Sequence, residues 1–527
     1  LIAFPLADHA GGAVLGKCLG GVCMVARTYT VAFEGVEARP VEVQCALATG
    51  MPSFSIVGLP DKAVSEAKER VRAALAALSI ALPMRRITIN LSPADLPKEG
   101  SHFDLPIALA LLAAIDIVPR EEVEGLVAIG ELALDGRLVP VVGALPAAMA
   151  AASEDKALIC PQDCGAEAAW VGATDVFGPA TLTEALQHLS GQRPLAPAQP
   201  GEVVAPQSPR DLRDVKGQER AKRALEIAAA GRHHLFLVGP PGSGKSMLAA
   251  RLPGILPPLS AMEALETSMV HSLSGLLSEG GISRTRPFRE PHHTASMAAM
   301  IGGGRGAKPG EVSLAHNGVL FMDEFPEFPR TVLETLRQPI ETGEVVVARA
   351  NAHVRYPCRF LLIAAANPCR CGYLGDPARA CARVPQCGAD YLGRISGPLM
   401  DRFDLRIEVP GVDWRELDLP SAGDSSGTVA ARVAQARDVQ AKRYEHHTSV
   451  RVNAEAEGAV LEEIAPLDAE GRELLGKVSE RFGLTARGYH RVLRTARTIA
   501  DLEGAAQVRA PHLAEAVSYR ISFAQTG

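Results

Sequence analysis

Three short runs in the middle of the chain are apolar at every position: Leu235-Phe-Leu-Val238, Val319-Leu-Phe-Met322 and Phe360-Leu-Leu-Ile-Ala-Ala-Ala366. They are too short for helices and do not alternate with polar residues, which is the pattern of strands buried on both faces of a parallel sheet. Each stops at a residue of a different kind: Gly239, Asp323 and Asn367. Towards the N-terminus, Val25 to Phe33 reads as a strand, and a Val-, Ala- and Leu-rich alternation of strands and helices continues to about Ser190. Beyond Val429 the apolar positions take helical spacing, over Ala430–Arg443, Ala469–Phe482, Thr485–Glu503 and Ala510–Ala524. The expected class is α/β: an N-terminal α/β domain, a parallel-sheet core and a C-terminal helical lid.

The first run opens into Gly239-Pro240-Pro241-Gly242-Ser243-Gly244-Lys245-Ser246, which fits G-x-x-x-x-G-K-[ST]. Such a loop turns backbone N–H groups toward a phosphate chain, and the following helix adds its positive N-terminal end. Lys245 is expected to reach the β- and γ-phosphates of ATP, and the Ser246 hydroxyl to ligate Mg²⁺. Asp323 would hold Mg²⁺ directly or through water, and Glu324 would orient and deprotonate the attacking water. Asn367 offers an uncharged amide to that water or to the γ-phosphate. Arg402, on a short turn in Asp401-Arg-Phe-Asp404, suits an arginine finger reaching a neighbouring subunit, or else a surface pair with an aspartate.

With 527 residues and 47% hydrophobic content, the chain suggests about three packed domains. A proline-rich linker, residues 191–210, separates a domain at 24–190 from a nucleotide-binding core at 211–412; a polar boundary then leads to the lid at 429–527. A net charge of −6 excludes a globally basic nucleic-acid coat but leaves room for a local basic channel. No run reaches the length of a membrane span, Ala108 to Val118 coming nearest. Ten cysteines in so long a chain suggest a reducing cytoplasm rather than a disulfide scaffold. Residues 1–23 are expected to be a non-native or disordered extension, with the native start near Met24.

Cys369, Cys371, Cys381 and Cys387 fall in a Gly/Pro/Arg-rich loop, 369–387, directly after the third apolar run. They supply enough thiolates for a structural zinc site, although the spacing departs from C-x₂-C pairs; reduced loop thiols are the alternative.

Taken together, Asp214-Val-Lys-Gly217-Gln218, the glycine-rich loop, Arg289-Glu-Pro-His292-His293-Thr294-Ala-Ser296, Gly310-Glu-Val-Ser-Leu-Ala-His316-Asn317-Gly318, Asn367-Pro-Cys-Arg-Cys371-Gly372 and Leu484-Thr-Ala-Arg487-Gly-Tyr-His490 resemble the ComM/YifB family of magnesium chelatase-like AAA+ ATPases. The resemblance runs from about Met24 to the end. It implies a homo-hexameric ring, with sensor roles for Asn367 and Arg487 and the finger role for Arg402. It also implies helicase action in DNA branch migration during natural transformation and recombination. A ring translocase needs loops facing its pore, and Glu279–Lys308 and the predicted hairpin Gly343–Tyr356 are in position to provide them. Arg305, Lys308 and Arg349 are the candidates for phosphate contacts to single-stranded or branched DNA. His292 and His293 suit the pore, a coordination site or local hydrogen bonding.

The N-terminal domain resembles that of Lon proteases through Pro97–Ala108 and Gly130–Pro146. Asp104 falls at the nucleophile position of the Ser–Lys dyad and Pro146 at the lysine position, so the resemblance implies an inactive, non-proteolytic module. The rival functional reading is a protein-remodelling ATPase like the magnesium chelatase motor subunit; an AAA+ protease is disfavoured by the absent dyad.

Overall fold

The computed structural model describes residues 24–203, 210–277, 281–304, 307–348, 353–375, 378–411, 423–447 and 450–521. Two of the candidate DNA-contacting residues, Arg305 and Arg349, lie outside the described residues, as does the extension 1–23. The chain divides into two compact units, one of residues 1–32, 40–139 and 179–195, the other of 33–39, 140–178 and 196–527.

In the first unit, strands β1 (Met24–Glu34), β2 (Glu37–Ala48), β3 (Ser53–Val57), β4 (Arg86–Ser92) and β5 (Leu126–Ala128) lie in the order β3-β4-β2-β1-β5. β2 and β4 are antiparallel, with Cys45 opposite Ile89, and their alternation sends Val41, Val43, Cys45, Ile87, Ile89 and Leu91 to one buried face. A two-stranded ribbon, β6 (Glu131–Leu132) and β7 (Leu138–Val139), completes its strands. The helix Asp104–Ala114 is buried at all eleven positions. Residues 108–114 of the apolar run noted from sequence lie in this core helix, which is well short of the ~20 residues that span a bilayer. Among the described residues no helix is long and apolar enough to cross a membrane. Asp104 is buried at the start of that helix. It accepts two hydrogen bonds from Arg70, at 2.6 and 2.9 Å, and one from the Leu132 N–H at 3.1 Å. A carboxylate so fully engaged is a structural anchor.

The second unit holds β8 (Ala157–Ile159) and β9 (Val176–Phe177), a parallel pair, and a five-stranded parallel sheet in the order β11-β14-β17-β10-β18. Its strands are β10 (Leu235–Val238), β11 (Phe288–Arg289), β14 (Val319–Met322), β17 (Leu361–Ala366) and β18 (Leu405–Glu408). β10 is an inner strand, pairing Leu235 with Ile363 of β17 on one side and with Leu405 of β18 on the other. Successive residues enter two different cores, which explains the apolar runs. Leu235, Leu237, Phe321, Ile363 and Ile407 pack with the helix Glu219–Gly231 and the C-terminal helices; Phe236, Val238, Leu320, Met322 and Leu362 pack on the opposite face.

The C-terminal helices are Ser426–Arg443, Gly458–Ile464, Ala469–Phe482, Ala486–Leu502 and Ala510–Ile521. The fourth is buried from Arg491 to Asp501, polar residues included. Asp501 offsets that burial by pairing with Arg443 at 2.6 Å and Arg497 at 2.9 Å and accepting from Asn453 at 2.8 Å.

The two segments proposed to face a pore come together. β12 (Gly302–Gly303) pairs with β13 (Lys308–Pro309), and β15 (Glu344–Ala348) with β16 (His353–Pro357), both antiparallel. Tyr356 Oη donates to the Ala307 carbonyl at 2.8 Å. A side chain at Gly302 would lie 3.3 Å from Val347, so one ribbon sits directly on the other. Lys308 is exposed on this pair of ribbons.

Candidate nucleotide site

A buried parallel strand presents its chemistry at its C-terminal end, and three such ends meet here. From β10 the chain enters the loop Gly239–Ser246, in which Gly242 and Gly244 take φ of +76° and +90°. A Cβ on Gly239 would come 2.1 Å from the Val409 carbonyl, so only glycine allows the loop to leave the sheet here. The helix Lys245–Ala249 follows. β14 delivers Asp323 and Glu324, and β17 delivers Asn367. Pro241, Lys245, Ser246, Asp323, Glu324 and Asn367 line one cleft of ≈ 640 Å³, within the range of small-ligand pockets.

Lys245 donates to the carbonyls of Gly239 at 2.7 Å and Pro240 at 2.9 Å, to Ser243 Oγ at 3.4 Å and to Asn367 Oδ1 at 3.3 Å. Burial lowers its pKa, against the opposing pull of Asp323. Ser246 Oγ donates to Asp323 Oδ2 at 2.6 Å. A hydroxyl and a carboxylate in contact form a hard-oxygen pair that fits Mg²⁺. Glu324 has φ +48° and ψ +43°, a left-handed conformation seldom taken by a non-glycine residue, and its N–H donates to Asp323 Oδ1 at 2.8 Å. The turn aims the two carboxylates differently: Asp323 toward Ser246, Glu324 toward His293.

Arg402 and Arg487 do not line this cleft. Both converge on Glu341, Arg402 Nη2 at 2.5 Å and Arg487 Nη2 at 3.4 Å. Arg402 is buried and also donates to the carbonyls of Arg337 at 3.1 Å and Pro398 at 2.6 Å. Its neighbours are equally fixed. Asp401 pairs with Arg520 at 3.0 Å, Phe403 packs edge-on to Phe325, and Asp404 pairs with Arg491 at 2.7 Å. The turn is therefore no exposed Asp–Arg pair, and its arginine lies against its own chain. Glu341 carries no motif and could not have been picked out by pattern.

The cysteine loop packs on the phosphate loop: a Cβ on Gly372 would lie 2.6 Å from the Pro241 ring. The zinc expectation finds no support. Cys369 and Cys371 sulfurs are 3.1 Å apart and share a hydrogen bond, whereas two thiolates on a tetrahedral zinc stand about 3.8 Å apart, given Zn–S of about 2.3 Å. Among the described residues no group of three or more His, Cys, Asp or Glu is arranged to hold a metal ion. The Cys369 hydrogen bond draws the Cys371 thiol down to about 7, and burial pushes Cys387 up to about 11.

This geometry agrees with what the chain is similar to. Three family descriptions match it in order: "Subunit ChlI of Mg-chelatase" over residues 41–164, "Magnesium chelatase, subunit ChlI" over 211–417 and "Magnesium chelatase, subunit ChlI C-terminal" over 423–520. The "Competence protein ComM" of Haemophilus influenzae is 45% identical over 505 residues, covering 94% of this chain and 97% of that protein. The YifB protein of Escherichia coli is 42% identical, over 93% of this chain and 96% of its own length. The magnesium-chelatase 38 kDa subunit of Rhodobacter capsulatus is 25% identical over 58% of this chain and 85% of its own. The chain belongs to the ComM/YifB family of magnesium chelatase-like AAA+ proteins. Membership implies the use of ATP and Mg²⁺.

Proposed function

We propose that this protein is an ATP-hydrolysing cytoplasmic motor, assembled as a homo-hexameric ring, that acts on single-stranded or branched DNA as a branch-migration helicase. The observation that carries the reading is the meeting of Lys245, Ser246, Asp323, Glu324 and Asn367 in one cleft. Lys245 exchanges its carbonyl partners for the β- and γ-phosphates. Ser246 and Asp323 would hold Mg²⁺, which would screen the phosphate charge. Glu324 takes a proton from water as that water attacks the γ-phosphorus, and ADP leaves. Asn367 and Arg487 serve as the sensors of the bound nucleotide, and Arg402 serves as the finger to a neighbour's site; both arginines must first release Glu341.

Action on DNA is supported by the name of the competence relative and by the paired ribbons that carry Lys308. The N-terminal unit acts as a non-proteolytic assembly or DNA-contact module: Asp104, at the nucleophile position of the Lon resemblance, is committed to Arg70. The three magnesium chelatase descriptions favour a second reading, a protein-remodelling ATPase. ATP-dependent strand displacement from forked and four-way DNA junctions separates the two. Displacement by the wild-type protein and none by Glu324→Gln is expected; ATP turnover without displacement, and without stimulation by DNA, favours the remodeller.

A further inference from the structure

β11 and β14 are parallel neighbours, with Phe288 opposite Val319 and Arg289 opposite Leu320. The chain beyond Arg289 therefore leaves the sheet at the same end of the strands as Asp323 and Glu324. It brings Glu290, His292 and His293 to the wall of the cleft, and the roles assigned so far use none of them. The segment is held at its base by Arg289, which donates to both oxygens of Glu311 at 2.6 and 2.7 Å. Further along, His292 Nδ1 stands 2.8 Å from Thr294 Oγ1, and the His293 ring lies against His292, tilted by 33° with centroids 4.2 Å apart. His293 Nδ1 then lies 3.3 Å from Glu324 Oε2. This contact falls on a carboxylate that needs fixing, since half of the Glu324 side chain is open to solvent.

We infer that His293 is a positioning residue for ATP hydrolysis, holding Oε2 of Glu324 through its ring N–H and leaving Oε1 for the attacking water. The proton lost by that water goes to Oε1, the new bond forms at the γ-phosphorus, and the bond to the β-phosphate oxygen breaks. A neutral imidazole oriented by its neighbours suffices for the role; His293 neither gives nor takes a proton in the step. The inference rests on the hydrolytic reading of the Gly239–Ser246 site.

Steady-state ATP hydrolysis without DNA, together with nucleotide titration, tests it in the full-length chain. His293→Ala is expected to keep nucleotide affinity and KM within about twofold and to lower kcat about tenfold or more. His293→Asn, whose amide N–H can replace Nδ1–H, should recover most of the loss. In a Glu324→Gln background, His293→Ala should cost nothing further, because the two groups act as a unit. Turnover by His293→Ala at or above the wild-type rate overturns the inference, as does loss of nucleotide binding in both histidine variants, which would mark a structural role. Wild-type turnover by Glu324→Gln instead overturns the hydrolytic reading beneath it.

Discussion

Single residues carry more than one duty here, and their partners show what each duty is. Lys245 satisfies its ammonium on the carbonyls of its own loop, so binding phosphate exchanges contacts rather than exposing a naked charge. Glu266 is tied to three places at once: His316 at 3.4 Å, Arg451 at 3.3 Å and Asn317 at 3.2 Å. The His316 hydrogen bond, with help from Arg451 and Asn317 and against burial, pulls its pKa from 4.5 down to about 2. A depressed carboxylate stabilises the fold above its unfolded pKa and ceases to do so as pH falls through its folded one. Glu266→Gln should therefore cost about 1 kcal/mol at neutral pH, allowing for solvent screening, and flatten the loss of stability on acidification. Urea midpoints measured across pH 4.5 down to about 2 check this, an equally steep loss in the variant being the contrary result. At this scale the sequence made Lys245, Asp323 and Asn367 legible, because each ends a motif or an apolar strand. Glu341 and the Glu324–His293 contact were not legible, since each depends on segments brought together only by the fold.

Elements were legible in proportion to their length. The helix Ala469–Phe482 begins and ends where its periodicity predicts, and the runs at Leu235, Val319 and Leu361 are the sheet's inner strands. β11 was hidden: two residues make no pattern, yet their register with β14 places the His292–His293 segment at the cleft. The hairpin β15–β16 was foreseen, but its packing on β12–β13 was not, because Val347 against Gly302 is a contact of surfaces, not of spacing. Strand and helix are also joined by charge. Asp404, at the start of β18, is buried and held well below the usual carboxylate range: burial opposes this, and Arg491 with His233 outweighs it. Arg491→Met would leave that carboxylate buried without its cation, at a cost of about 3–5 kcal/mol. Chemical denaturation should show it as a large drop in midpoint; an unchanged midpoint would mean that the pair does not tie the C-terminal helix to the sheet.

For the whole molecule, the class α/β with a parallel sheet and a helical C-terminal region was readable from the change of period along the chain. The compact units are less so: residues 140–178 belong with the nucleotide-binding unit though they precede the proline-rich stretch, and no composition shift marks that return. The four-cysteine loop shows the limit of composition, which counted ligands without fixing the distance between Cys369 and Cys371. What unifies the molecule is the proposal that its central cleft binds ATP and turns it over through Glu324, and the charge-neutral Glu324→Gln variant tests that most directly. Paired measurements of nucleotide affinity and steady-state turnover should show ATP bound with wild-type affinity and hydrolysis reduced at least about a hundredfold. Turnover by the variant at the wild-type rate would contradict the account.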